Sequence, residues 1–168
     1  MTWCTADLWD EHGQKCRVVD PLFTSYGGVE NFWGEIRTVK VFEDNSLVRE
    51  ALGQNGTGKV LVVDGGGSLR CALLGDRLAE LGRSNGWAGI VIYGAVRDSD
   101  VLKGIAFGVK ALNTNPRKSV KRQEGQRDLT VTFGGVDFLP GDYLYADSDG
   151  VLVCPERLFN DDNSRANH

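Results

Sequence analysis

Two short apolar runs constrain this chain more than any other feature. Lys59-Val-Leu-Val-Val-Asp64 and Ala88 to Tyr93 are almost unbroken in hydrophobicity. A half-exposed strand alternates apolar and polar residues, whereas a continuous run is expected of a strand covered on both faces, as at the centre of a parallel sheet. Ala106 to Leu112 reads as a third strand of this set. Between the first two runs, Leu78, Leu81 and their neighbours form a helix that opens at Asp76 and ends near Gly86.

The rest of the chain encloses that centre. Thr5 to His12 reads as a short helix stopped by Gly13, with His12 beside its last carbonyls. Pro21 to Gly28 is a loop. Phe32 to Phe42 sets Ile36, Val39 and Val41 against Glu35, Arg37 and Lys40, the alternation of a half-buried strand. Asn45 is placed as the cap of a helix carrying Leu47, Val48, Ala51 and Leu52, ended by Gly53 and the Gly56-Thr-Gly58 turn. Pro116 to Asp128 is polar and basic, hence a surface excursion. Beyond it, short strands (Thr130–Phe133, Asp142–Ala146, Val151–Cys154) are separated by Gly134-Gly135, Pro140-Gly141 and Asp147-Ser-Asp-Gly150, which are turn residues. The expected class is mixed α/β, a central sheet flanked by helices with antiparallel β elements around it. Residues 1–159 form one domain in this reading, and 160–168 a polar, disordered tail.

Composition removes several function classes. A net charge of −4 argues against a general binder of nucleic-acid backbones. No apolar run reaches membrane-spanning length, and the N-terminus carries no secretory pattern, so a cytoplasmic protein is expected. Cys4, Cys16, Cys71 and Cys154 are scattered and are expected as free, buried or half-buried thiols. The two histidines are His12 and His168, too few and too distant to build a histidine zinc site. A metal here would therefore be held by oxygen, which favours magnesium or manganese.

The two apolar runs deliver their carboxyl ends to Asp64-Gly-Gly-Gly-Ser-Leu-Arg70 and to Gly94-Ala-Val-Arg97-Asp98, the edge at which open α/β sheets bind ligands. Nucleotide motifs fail there. Gly65-x-Gly67-x-x-Arg70 lacks the third glycine of a dinucleotide fingerprint, and Gly56-Thr-Gly-Lys59 runs into a strand with Val60 where Ser or Thr is needed. Gly75-Asp76-Arg77-Leu78 opens a helix. Either Asp76 caps that helix, or the amides of Gly75 to Leu78 hold a substrate carboxylate. The helix and strand between Asp76 and Arg97 bring the chain back to the edge it left. Asp98 can then ligate a hard cation directly, Asp76 can hold its bound waters, and Arg97 can reach a carbonyl or enolate oxygen. The basic residues Arg117, Lys118, Lys121, Arg122 and Arg127 are read as a solvated loop, interrupted by Glu124 and Asp128.

Asp76, twenty intervening residues and then Arg97-Asp98 resembles the signature of the 4-hydroxy-4-methyl-2-oxoglutarate aldolase family, which includes the regulators of ribonuclease E activity A. The likeness extends through Val19-Asp-Pro-Leu-Phe23, Lys59 to Gly67, Ile92 to Arg97, Phe133 to Val136 and Gly141 to Asp147. It implies a swivelling β/β/α fold, a homotrimer with sites near subunit boundaries, and dependence on magnesium or manganese. It further implies cleavage of 4-hydroxy-4-methyl-2-oxoglutarate, and of the related 4-carboxy-4-hydroxy-2-oxoadipate, to pyruvate, with decarboxylation of oxaloacetate. Under the resemblance Gly75, Asp76, Arg77 and Leu78 bind substrate through the backbone, Arg97 contacts substrate, and Asp98 ligates the metal. Some regulators in the family lack the acid after the arginine, which this chain keeps. The alternative implied function is a non-catalytic trimer that binds and inhibits ribonuclease E.

Overall fold

The structure is a computed structural model that describes residues 3–159; the segment read as a disordered tail, with His168, lies outside the described residues. In chain order the elements are α1 (Thr5–His12), β1 (Arg17–Val18), β2 (Thr24–Ser25), β3 (Phe32–Lys40), α2 (Ser46–Leu52), β4 (Lys59–Asp64), β5 (Ala72–Leu74), α3 (Asp76–Ser84), β6 (Gly89–Val96), α4 (Ser99–Leu102), β7 (Gly108–Thr114), β8 (Gln126–Arg127), β9 (Val131–Phe133), β10 (Val136–Phe138), β11 (Tyr143–Ala146) and β12 (Val151–Cys154). A ten-stranded sheet runs β1-β12-β11-β3-β4-β6-β7-β2, with β5 added to β6 and β8 to β3, while β9 and β10 form a separate hairpin. Neighbours within β3-β4-β6-β7 are parallel, and so are β5 and β6; the remaining pairs are antiparallel. The mixed α/β class is thus the one observed.

The unbroken apolarity of β4 follows from what covers it. Leu61 and Val63 pack in the cluster under α2 and α3, with Leu52, Leu78 and Ala79. Val60 and Val62 pack on the other face, against Phe133 and Phe138 of the hairpin and against Leu144 and Val153. All four side chains are at most 1% exposed, each burial contributing about 1.5–3 kcal/mol. A third cluster gathers Leu8, Cys16, Trp33, Tyr145, Leu152 and Cys154 where α1 crosses β12.

Several expectations need correction. The strand expected over 88–93 continues to Val96, because β5 pairs with its end (Ala72↔Ala95, Leu74↔Val96), so Gly94-Ala-Val is strand and not loop. The following strand starts and ends two residues later than read. β3 is covered more fully than its alternation suggests: Thr38 is buried and donates to the Leu129 carbonyl, and Arg37 pairs with Glu35 at 3.2 Å. β1, β2, β5, β8, β10 and α4 were not foreseen; all are short and held by tertiary partners. Asn45 stands at the cap position of α2, yet its side chain makes no capping bond. Asp44 takes that role, its Oδ1 accepting from Ser46 N at 2.8 Å and Ser46 Oγ at 2.6 Å. Cys16 and Cys154 are joined in a disulfide across the β1–β12 pairing, correcting the expectation of free thiols; Cys4 and Cys71 are free. No helix among the described residues is long and apolar enough to cross a membrane.

Candidate functional site

The parallel strands end along one edge, and there the chain makes two adjacent exits. β5 leaves through Gly75 into the first turn of α3, and β6 leaves through Arg97 and Asp98 into α4. The exits are stitched together by Arg97 N, which donates to the Leu74 carbonyl at 2.9 Å. Asp98 adopts the left-handed conformation (φ 59°, ψ 39°), tolerated by aspartate better than by most side chains. Its Oδ2 lies 3.1 Å from Asp76 N at the start of α3. It thereby satisfies one of the orphan amides of that helix and places negative charge at the positive end of its dipole. Gly75 leaves room for this contact: a Cβ at that position would stand 2.7 Å from Asp98 Oδ2, so the carboxylate would have to shift.

Asp76 is the first residue of α3 and not its cap. Its Oδ1 accepts from Arg77 N at 2.9 Å. Two of the four amides read as a carboxylate cradle therefore face the chain's own carboxylates in this structure. Arg97 is half-buried, and its Nη1 lies 3.5 Å from the Pro116 carbonyl. A cleft of about 530 Å³ unites Gly75, Asp76, Arg77, Leu78, Arg97 and Asp98. The residues assigned from the sequence to substrate and metal, Gly75 to Leu78, Arg97 and Asp98, are all in its wall.

The cleft also has walls that sequence reasoning missed. Asn45, Arg49, Lys118, Ser119 and Lys121 complete it. The excursion carrying Lys118 and Lys121 is not a loose loop. Asp44 Oδ2 accepts from Arg122 N at 2.7 Å and Glu124 N at 3.2 Å, Ser119 Oγ accepts from Asn45 N at 3.2 Å, and the Arg117 carbonyl accepts from Ala72 N at 2.7 Å. Burial opposes ionisation of Asp44, but its hydrogen bonds from Ser46, Arg122 and Glu124 outweigh that and hold the carboxyl below the usual range. Glu43 adds a further tie: bonds from the Arg70 guanidinium and Ser68 hydroxyl hold it ionised, and its carbonyl accepts from Val120 N. The basic composition of 116–128 was visible; its anchoring was not. Asn45 Oδ1 is buried with no hydrogen-bond partner among the described residues.

The three-glycine loop, by contrast, adds no wall to this cleft. Gly65 N and Gly67 N both donate to the Tyr93 carbonyl at 3.1 Å, Gly66 N donates to Asp64 Oδ1, and Gly66 and Gly67 take positive φ. These glycines make a tight turn, and the loop borders a separate hollow with Phe42 and Tyr93.

The donor set can be weighed against a metal. Among the described residues no three His, Cys, Asp or Glu side chains converge. A caged transition metal does not suit such a site. A hard ion that keeps most of its waters and takes one or two carboxylates does, and Asp98 with Asp76 beside it supplies that pair.

A profile of RraA-like proteins, described as Aldolase/RraA, matches residues 5–153. A protein of Dechloromonas aromatica (strain RCB), provisionally named 4-hydroxy-4-methyl-2-oxoglutarate aldolase, is 58% identical over 162 residues, covering 94% of this chain and 99% of the relative. A Geobacillus kaustophilus structure described as S-adenosylmethionine:2-dimethylmenaquinone methyltransferase superposes with a TM-score of 0.91 at 51% identity, over 93% of this chain and 97% of that one. The RNA-processing inhibitor RraA from Thermus thermophilis does so with a TM-score of 0.91 at 45% identity, over 96% and 98%. The neighbours share one fold and carry three different functional names.

Proposed function

This chain belongs to the RraA-like family, and on that premise we propose that it is a divalent-metal-dependent class II aldolase. Its substrates would be 4-hydroxy-4-methyl-2-oxoglutarate and the related 4-carboxy-4-hydroxy-2-oxoadipate, cleaved to pyruvate, with oxaloacetate decarboxylated at the same site. The observation that carries this reading is the convergence of Arg97, Asp98 and the first turn of α3 on one cleft. The naming of the relatives as aldolases supports it.

Both reactions release a pyruvate enolate whose charge gathers on the former carbonyl oxygen. Magnesium or manganese, when bound, supplies Lewis acidity toward that oxygen, worth several kcal/mol. Asp98 would hold the ion directly and Asp76 would hold its waters. Were Asp98 to turn from the Asp76 amide in holding the ion, that N–H would be free for the substrate carboxylate. Arg97 donates to the enolate oxygen from a fixed position, strongest where water is excluded. A water oriented by Asp76 takes the C4-hydroxyl proton in the retro-aldol step. No lysine stands in the 75–78 or 94–98 segments, although Lys118 and Lys121 reach the same cleft from the excursion. A cytoplasmic homotrimer with sites at subunit boundaries goes with the same reading, and light scattering would test the stoichiometry.

The deciding experiment is pyruvate release from each substrate with magnesium or manganese and with excess chelator. Chelator-sensitive release is expected; none from any of the three substrates would end the proposal. The likeness to the Thermus RNA-processing inhibitor favours a second reading, a trimer that binds ribonuclease E. Inhibition of that nuclease by an Asp98→Asn variant would support it, because a surface effect survives loss of the metal ligand.

A further inference from the structure

The whole chain carries a net charge of −4, yet its cleft is lined by five cations, Arg49, Arg77, Arg97, Lys118 and Lys121, against two carboxylates, Asp76 and Asp98. That local reversal is larger than the aldolase chemistry uses. The enolate oxygen engages Arg97, and the chelating carboxylate engages the first turn of α3. The Arg77 side chain stands on that same turn and is not used; away from the turn Arg49, Lys118 and Lys121 are left over, and none of the three forms a salt bridge within 4.0 Å among the described residues.

These three come from two elements, and the fold fixes their spacing. Arg49 sits on α2, whose first turn is capped by Asp44; Lys118 and Lys121 sit on the excursion that the same Asp44 grips through Arg122 N and Glu124 N. One buried carboxylate therefore holds both sides of the cationic patch in register. Clustered like charges repel one another, and their assembly without counter-ions is favoured when an anion from outside completes it.

We propose that Arg49, Lys118 and Lys121 form a subsite for the second carboxylate of the substrate, and that they restrict the enzyme to 2-oxo acids bearing a carboxylate at the far end. The proposal rests on the aldolase reading only for which end of the ligand is chelated. Monocarboxylate 2-oxo acids would fill the chelating half and leave the patch unmatched.

The test uses two unreactive probes, pyruvate and 2-oxoglutarate, titrated calorimetrically into the full chain with saturating magnesium. They differ by the far carboxylate and one methylene. The wild type is expected to bind 2-oxoglutarate about tenfold more tightly than pyruvate, with the preference shrinking as salt rises. In the Lys118→Met/Lys121→Met variant that preference should fall to within about twofold while pyruvate affinity stays unchanged. Equal loss for both probes, or an unchanged preference, overturns the subsite. Lys118→Arg/Lys121→Arg should keep the preference, which separates charge from packing. Binding is read without turnover, so a protein that prefers 2-oxoglutarate but cleaves nothing retains the subsite and loses the aldolase reading.

Discussion

The two edges of the sheet are held in opposite ways. At the start of β3, Trp33 stacks on Tyr145 at 5.7 Å, and Phe159 and Trp3 close around them. Burial there pushes Tyr145 up to about 12, the Cys16–Cys154 bond ties strands 138 residues apart, and Asp147 accepts from both Thr5 N and Thr5 Oγ1. At the cleft edge the ties are carboxylates facing amides: Asp98 to α3, Asp76 to Arg77, Asp44 to the excursion. The first edge is apolar, aromatic and covalent, and Trp33 Nε1 is buried in it with no hydrogen-bond partner among the described residues. The second is polar, with an unpartnered acceptor in Asn45 and unpaired cations. Bonds that a ligand is to exchange must be exchangeable, so the cleft is fastened by groups that a cation or an anion can replace.

Changes at the cleft edge should therefore fall on turnover, and changes at the aromatic edge on stability. Asp98→Asn is the sharpest case. Asparagine accepts the left-handed backbone and offers an oxygen to Asp76 N, so the melting temperature should move by no more than about 3 °C while metal-dependent pyruvate release falls about a thousandfold. A comparable loss of folding would break the contrast. Cys16→Ser should cost about 2–5 kcal/mol in denaturant unfolding with turnover kept, and reduction of the wild type should reproduce it. Asp44→Ala should fall on both sides, costing about 2–3 kcal/mol because four donors lose a charged acceptor, and weakening the far-carboxylate preference. Since the folded Asp44 carboxyl lies below its unfolded value, its contribution is full above about pH 4 and is lost as pH falls further, so the two unfolding curves should converge in acid. Thr5→Val is the mildest, about 1 kcal/mol with unchanged turnover, because Asp147 Oδ1 still accepts from Asp149 N.

The same contrast explains what could be read in advance. β4 and α1 were legible to the residue, since each is announced by local pattern and an adjacent glycine or aspartate. Arg97 and Asp98 were legible because strand-and-helix spacing returns the chain to one edge. What escaped depends on distant partners. Val96 belongs to a strand through its pairing with Leu74, Cys16 finds Cys154 through the closing of β1 on β12, and Lys118 and Lys121 face the cleft through Asp44. Asn45 was credited with a cap that its neighbour supplies, because position alone does not tell which of two adjacent acceptors points at the amides. The three-glycine loop could be placed at the carboxyl end of its strand, but only the fold shows that its glycines serve a turn onto the Tyr93 carbonyl.

The left-handed backbone at Asp98 has an evolutionary corollary. The replacements that fit this conformation with least strain are asparagine and glycine, and both are a single nucleotide from either aspartate codon. Drift at this position is channelled toward residues that erase the charge and leave the surface intact. Under the proposed role of Asp98, a lineage would abandon catalysis here in one mutational step without rebuilding its scaffold, a route by which proteins named as aldolases and as RNA-processing inhibitors could share so closely matched a fold.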